Sequence, residues 1–147
     1  MVRLLAVVAL VALTMPAGAE PNECSKLARR ASAASGLSIA KIGLDAFDLQ
    51  GRGKLAGGQV GFLCSKRILF AGWNQSRAPE PFVHRVAKAA AALNLIGSDE
   101  ADSLVTCQNS AFIDRGKAKE IIYSIGKAAK LTCQSGRVMT FSIRPAP

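Results

Sequence analysis

Apolar and polar positions divide the chain into a short apolar leader and a longer body of periodic segments broken by turn signals. Residues 4–13 form an unbroken apolar run behind a single charge, Arg3, and Thr14-Met15-Pro16 interrupts it. Ala17 and Ala19 then place small side chains where a signal peptidase has shallow pockets. This three-part pattern predicts a secretory signal peptide over residues 1–19, cleaved before Glu20. The run is half the length of about 20 apolar residues that a membrane span requires. Cys24 lies several residues beyond the cut, which argues against a lipoprotein anchor, and no twin-arginine pair precedes the run.

In the body, residues 22–34 are rich in helix formers, with Asn22 as a cap, Gly36 as a stop, and Cys24 and Leu27 facing inward. Leu37, Ile39, Ile42, Leu44, Phe47 and Leu49 mix strand alternation with helical spacing, and the segment is expected as one strand. Turn residues at 50–54 lead into two expected strands, 57–65 and 68–73, around a tight turn at Lys66-Arg67. Pro79-Glu80-Pro81 opens a helix through about residue 95, with Phe82, Val83, Val86, Ala87, Ala90 and Leu93 at core-facing spacing and His84, Arg85 and Lys88 on the other side.

After a polar break at 97–102, residues 104–113 read as a strand. Asp114 is expected to cap a further helix that buries Ala118, Ile121, Ile122, Ile125 and Ala129. A closing hairpin turns at Gln134-Ser135-Gly136 and alternates Val138, Thr140 and Ser142 against Met139, Phe141 and Ile143. The expected fold class is α+β: residues 20–147 as a single domain, an antiparallel sheet with two or three helices packed on it, stabilised by disulfides.

Cysteine usage supports export. Cys24, Cys64, Cys107 and Cys133 all follow the leader, and an even count in an exported chain predicts two bridges. Of the three pairings, Cys24 with Cys64 and Cys107 with Cys133 are favoured, because each links segments expected to be neighbours. The wide spacing and single histidine argue against a zinc site. The net charge of +9 becomes +8 once Arg3 is removed, so the mature surface is cationic and favours anionic neighbours. In a bacterial envelope these comprise membrane headgroups, cell-wall polymers, extracellular nucleic acid and acidic proteins. Arg115, Lys117, Lys119, Lys127 and Lys130 on the expected helix are the candidate contacts to an anionic envelope component or acidic protein. Single-strand nucleic-acid binders interleave such charges with stacking aromatics; that interleaving is missing, which disfavours nucleic acid.

Catalytic signals are sparse. No cofactor motif stands out. The glycine-rich segment 51–58 lacks the Gly-Lys-Ser/Thr ending and following helix of a phosphate-binding loop, and reads as a hairpin or loop. His84 is the lone histidine, and four oxidised cysteines leave no thiolate for it to activate. Asp45 and Asp48 are the one close carboxylate pair beside an apolar stretch. The leading expectation is a small, basic, non-catalytic binding or accessory protein of the periplasm or cell exterior. The rival is a small exported hydrolase using His84 with Asp45 or Asp48.

Overall fold

The computed structural model describes residues 22–98, 100–117, 119–125 and 127–145; the expected signal peptide lies outside the described residues, as do the side chains of 120–128. Chain order is α1 (Glu23–Ser35), β1 (Ser38–Ile42), β2 (Ala46–Gln50), β3 (Gly58–Leu63), β4 (Ile68–Trp73), α2 (Glu80–Ala92), α3 (Ala101–Ile113), β5 (Lys119–Ile125), β6 (Lys127–Ser135) and β7 (Met139–Pro145). The described strands form one antiparallel sheet in the order β1-β2-β3-β4-β7-β6-β5. Two meanders, β1 to β4 and β5 to β7, meet where β4 pairs with β7. The α+β class follows: three helices packed on an antiparallel sheet.

Local chemistry explains α1. Asn22 accepts from the Ser25 amide at 2.7 Å, and Gly36 closes the helix in the left-handed region at φ 70°, donating to the Ser32 carbonyl. These are the start and stop that residue types announce. In α2, Phe82, Val83, Val86, Ala87 and Ala90 are buried and His84 and Lys88 exposed, as their spacing predicts. Arg85 is half-buried and donates to the Ser35 carbonyl at 2.8 Å, tying α2 to the end of α1.

Segment 37–49 is a hairpin and not one strand. Gly43-Leu44-Asp45 forms its turn, with Gly43 donating to the Ala46 carbonyl and Leu44 at the exposed tip. The turn folds the segment back on itself, so that Ile42 stands opposite Phe47 and Ile39 opposite Leu49, with a register shift between Ile39 and Lys41.

Segment 104–113 is helical, against the strand expected there. Leu104, Cys107, Gln108 and Ala111 are buried at spacings of three and four, and the polar Gln108 disguised that stripe. Its side-chain amide accepts from the Ala78 amide at 2.9 Å and donates to the Ala78 carbonyl at 3.0 Å, so its burial is compensated. The helix expected after Asp114 is instead β5 and the start of β6, paired from Lys119 opposite Cys133 to Ile125 opposite Lys127. The β-branched run Ile121-Ile122 and Ile125 suits a strand, and β7 supplies the long-range partner that makes β6 an interior strand.

All three helices lie on one side of the sheet, with α2 between α1 and α3. The inward residues, among them Phe47, Leu49, Phe62, Leu69, Phe141 and Ile143, form one continuous core with the helices. Two bridges staple the helical layer to the sheet: Cys24–Cys64 joins α1 to the end of β3, and Cys107–Cys133 joins α3 to β6, with Cα separations of 5.6 and 5.9 Å. This is the favoured pairing, and no described cysteine is free.

Candidate functional site

Successive strand residues point to opposite faces, so burying Phe47, Leu49, Val60, Phe62, Leu69 and Ala71 under the helices turns the alternate residues to the uncovered side. Register aligns them in rows across the sheet. One row runs Gln50, Gln59, Gly72, Thr140, Gln134; the next runs Asp48, Gly61, Phe70, Ser142, Thr132. A third begins with Lys130 opposite Arg144. Within β2, β3, β4, β7 and β6 the first two rows carry one charge, Asp48, and on β1 Lys41 stands opposite it.

On the β2–β3–β4 part of this face lies a cleft of about 750 Å³, open to solvent. Its floor is the strand surface around Phe70, and the segment that ends in Ala56 and Gly57 forms one wall with Asn74. Val138 of the β6–β7 turn also lines it. That volume falls in the range of small-molecule sites. Phe70 is 48% exposed, whereas Phe47, Phe62, Trp73 and Phe141 of the same sheet are buried.

Two glycines keep the floor bare beside the Phe70 ring. Gly61 stands directly opposite Phe70 on β3; a methyl there would come within 3.1 Å of Asp48 Oδ1, so the small residue leaves that carboxylate its position. Gly72 follows two residues along β4 on the same face. A methyl at 72 would meet nothing closer than the Met139 carbonyl at 3.9 Å, an ordinary contact. Neither packing nor a left-handed backbone requires glycine there. Glycine in a strand interior costs about 0.5–1 kcal/mol relative to alanine, and where nothing else explains it, it marks close approach by a ligand or another backbone. At Gly57 the reason is visible: the Asn74 amide occupies the space a methyl would take.

The lining's single formal charge is the Asp48 carboxylate, in a chain whose net charge is +9. The expected cationic contacts are elsewhere and do not share one helix face. Arg115 is exposed, its guanidinium 4.4 Å from the centroid of Phe112, which Arg77 approaches at 5.6 Å. Lys117 is exposed beside it, and Lys119 pairs with Asp114. Lys130 is half-buried on β6, opposite Arg144; the Lys127 side chain lies outside the described residues. The expected cluster rested on helical spacing, and strands distribute the same residues along the sheet.

The rival catalytic residues are also dispersed. His84 lies on the solvent side of α2 in the helical layer, while Asp48 faces the opposite side of the sheet. Asp45 sits in the β1–β2 turn and accepts from the Ser65 amide at 2.8 Å and the Ser65 hydroxyl at 2.6 Å. Those two bonds hold its carboxyl below the ordinary value of 3.8, the side-chain bond being the larger cause. They fasten the β1–β2 turn to the residue after Cys64. Among the described residues no group of three or more His, Cys, Asp or Glu side chains is placed to hold a metal ion.

Sequence reasoning missed Gln50, Gln59, Phe70, Gly72 and Asn74. The one available signal was the polar phase of the two strands, where glycines and a phenylalanine stand at positions that solvent exposure alone would fill with charged residues. Comparison with protein-family models, with curated proteins and with solved structures returns no match.

Proposed function

We propose that this chain is an exported, non-catalytic binding protein of the bacterial envelope, and that the uncovered sheet face is its ligand surface. The observation that carries the reading is the cleft: an exposed phenylalanine and a glycine floor bordered by amides and one carboxylate, on a face that no element of the described chain covers. Two disulfides suit an oxidising compartment, and no described helix is long and apolar enough to cross a membrane. The leader pattern of residues 1–19 supplies the export route. The cationic remainder of the surface draws the protein toward an anionic envelope component by long-range attraction, and the cleft supplies the specific contacts.

Two measurements test this. The protein recovered from its native host is expected outside the cytoplasm, beginning at Glu20, with no titratable thiol; a cytoplasmic product that retains Met1 and four free thiols refutes the export part. The mature protein is expected to be retained on isolated envelopes, less so as salt rises past the screening of surface charge. Absence of retention at low salt refutes the binding part.

A further inference from the structure

We infer that the cleft takes a short stretch of neutral saccharide chain, its ring stacked on Phe70 and its hydroxyls held by Asp48, Gln50 and Gln59. This rests on the proposed binding function and names its ligand class. The chemistry of the lining selects the occupant. A phosphate-bearing or carboxylate-bearing ligand would meet one carboxylate, Asp48, among the lining residues, and the nearest strand cation, Lys41, stands opposite that carboxylate and outside the lining. An entirely apolar ligand would bury the amides of Gln50, Gln59 and Asn74 without partners, at a cost of about 1–3 kcal/mol for each unsatisfied group. A sugar ring matches both constraints. Its C–H face is apolar and flat enough to lie on an exposed aromatic ring, and its hydroxyls donate and accept at once.

The polar groups suit such hydroxyls. A side-chain amide both donates and accepts, and an ionised carboxylate accepts from two neighbouring hydroxyls. Gln50 and Gln59 are cross-strand partners in one row, and Asp48 stands in the adjacent row on the same face. Amide and carboxylate edges therefore flank the platform along β2 and β3. Gly61 and Gly72 remove the side chains that would otherwise stand beside the Phe70 ring, which gives the bare area a flat ring needs. The third row, with Lys130 and Arg144, lies beyond these two rows. Charge on the same polymer would be met there or elsewhere on the cationic surface, outside the cleft.

The Trp73 indole packs on Phe82 on the covered side, so occupancy of the cleft is read from the backbone amides of the strands that form it. The disulfide-intact mature protein is titrated with soluble tetrasaccharides of glucose and of N-acetylglucosamine, following backbone amide shifts. Saturable binding by at least one of them is expected, with shifts confined to β2, β3 and β4. Phe70→Ala should weaken it about tenfold or more, Phe70→Trp should retain it, and Gly72→Leu should abolish it by filling the floor. Because the ligand is uncharged, affinity should change less than about twofold between low salt and roughly half-molar salt. Thermal melts of the three variants establish that each is folded. Should Gly72→Leu fail to fold, Phe70→Ala against Phe70→Trp decides alone.

No response to any of the tetrasaccharides, in a protein that is still retained on envelopes, overturns the ligand class and leaves the binding function standing. Shifts at the same residues with oligothymidylate or a tetrapeptide, and none with saccharide, also overturn it. Loss of envelope retention by the wild type, with saccharide binding intact, refutes the envelope partner and not the cleft.

Discussion

On the helix-facing side of the sheet, Phe47, Phe62 and Phe141 are almost entirely buried, and two disulfides staple helices to the sheet at the end of β3 and on β6. On the other side the same strands present Asp48, Gln59, Gly61, Phe70 and Gly72 to solvent, with one aromatic ring half exposed. Neighbouring residues of one strand thus answer to different constraints. Phe62 and Phe70 make the contrast sharpest: both are phenylalanines on adjacent strands, and only the first has a packed environment. Stability is concentrated on the covered face, which leaves the uncovered face free to carry residues chosen for a ligand.

If that division holds, substitutions on the two faces separate cleanly. The largest difference is expected between Phe62→Ala and Phe70→Ala. The first removes a buried ring and should destabilise the protein by about 3–5 kcal/mol; the second should stay within about 0.5 kcal/mol, as surface changes do. Denaturant midpoints measured on both check this, and comparable losses would mean that the uncovered face is part of the core.

Next in size is the effect of the staples. Replacing both cysteines of either bridge by alanine should cost about 3–4 kcal/mol in the chain-entropy account for loops closed over separations of 40 and 26 residues. Equilibrium unfolding of the two double variants, each compared with wild type, gives the values. Saccharide binding should survive in whichever variant remains folded, because both staples lie on the covered side.

Glycine substitutions sharpen the comparison further. A methyl at Gly58 would come within 2.2 Å of the Phe82 ring, which is fully buried and cannot withdraw. Gly58→Ala should therefore destabilise by about 1–3 kcal/mol. Gly72→Ala, on the uncovered face, should be neutral or stabilise by up to about 1 kcal/mol, and thermal melts of the pair are the measurement. A destabilising Gly72→Ala would remove the argument that ligand approach explains this glycine.

The smallest effect concerns acid. The Asp45 carboxyl titrates below its ordinary 3.8 because Ser65 donates to the charged form from its hydroxyl and its amide. A lowered folded-state value means that the contribution is fully present above the unfolded value and is lost as pH falls through the folded one. Asp45→Asn should flatten the decline of stability below pH 3.8 and change little near neutrality. Denaturant midpoints of the two proteins across that acid range test it. At an exposed turn the effect should be the least of the four.

How legible all this was depended on where each residue's partners lie in the chain. The α1 boundaries were readable because Asn22 and Gly36 act within a turn of the helix they close. The α2 core stripe and the Met139, Phe141, Ile143 alternation were readable for the same reason, since burial repeats at the element's own period. Segment 104–113 was misread because Gln108, a polar residue, occupies a core position that only its two bonds to Ala78 make tolerable. Segment 114–130 was misread because alanines and lysines favour a helix locally, while strand pairing with β7 comes from residues ten or more positions away. With that helix went the expected cationic cluster. The cleft residues were invisible because two amides, two glycines and a phenylalanine on three strands form a surface only in register.

The residue string by itself determined the α+β class, the count of two bridges and the helices whose caps and stripes lie within a few residues of each other, because those features are short-range or follow from count; it favoured one cysteine pairing of three, and the fold decided it. The tertiary structure alone decided which face of the sheet is covered and which residues share the other face. That outcome depends on all three helices landing on one side, a choice made by long-range packing and fixed by two bridges.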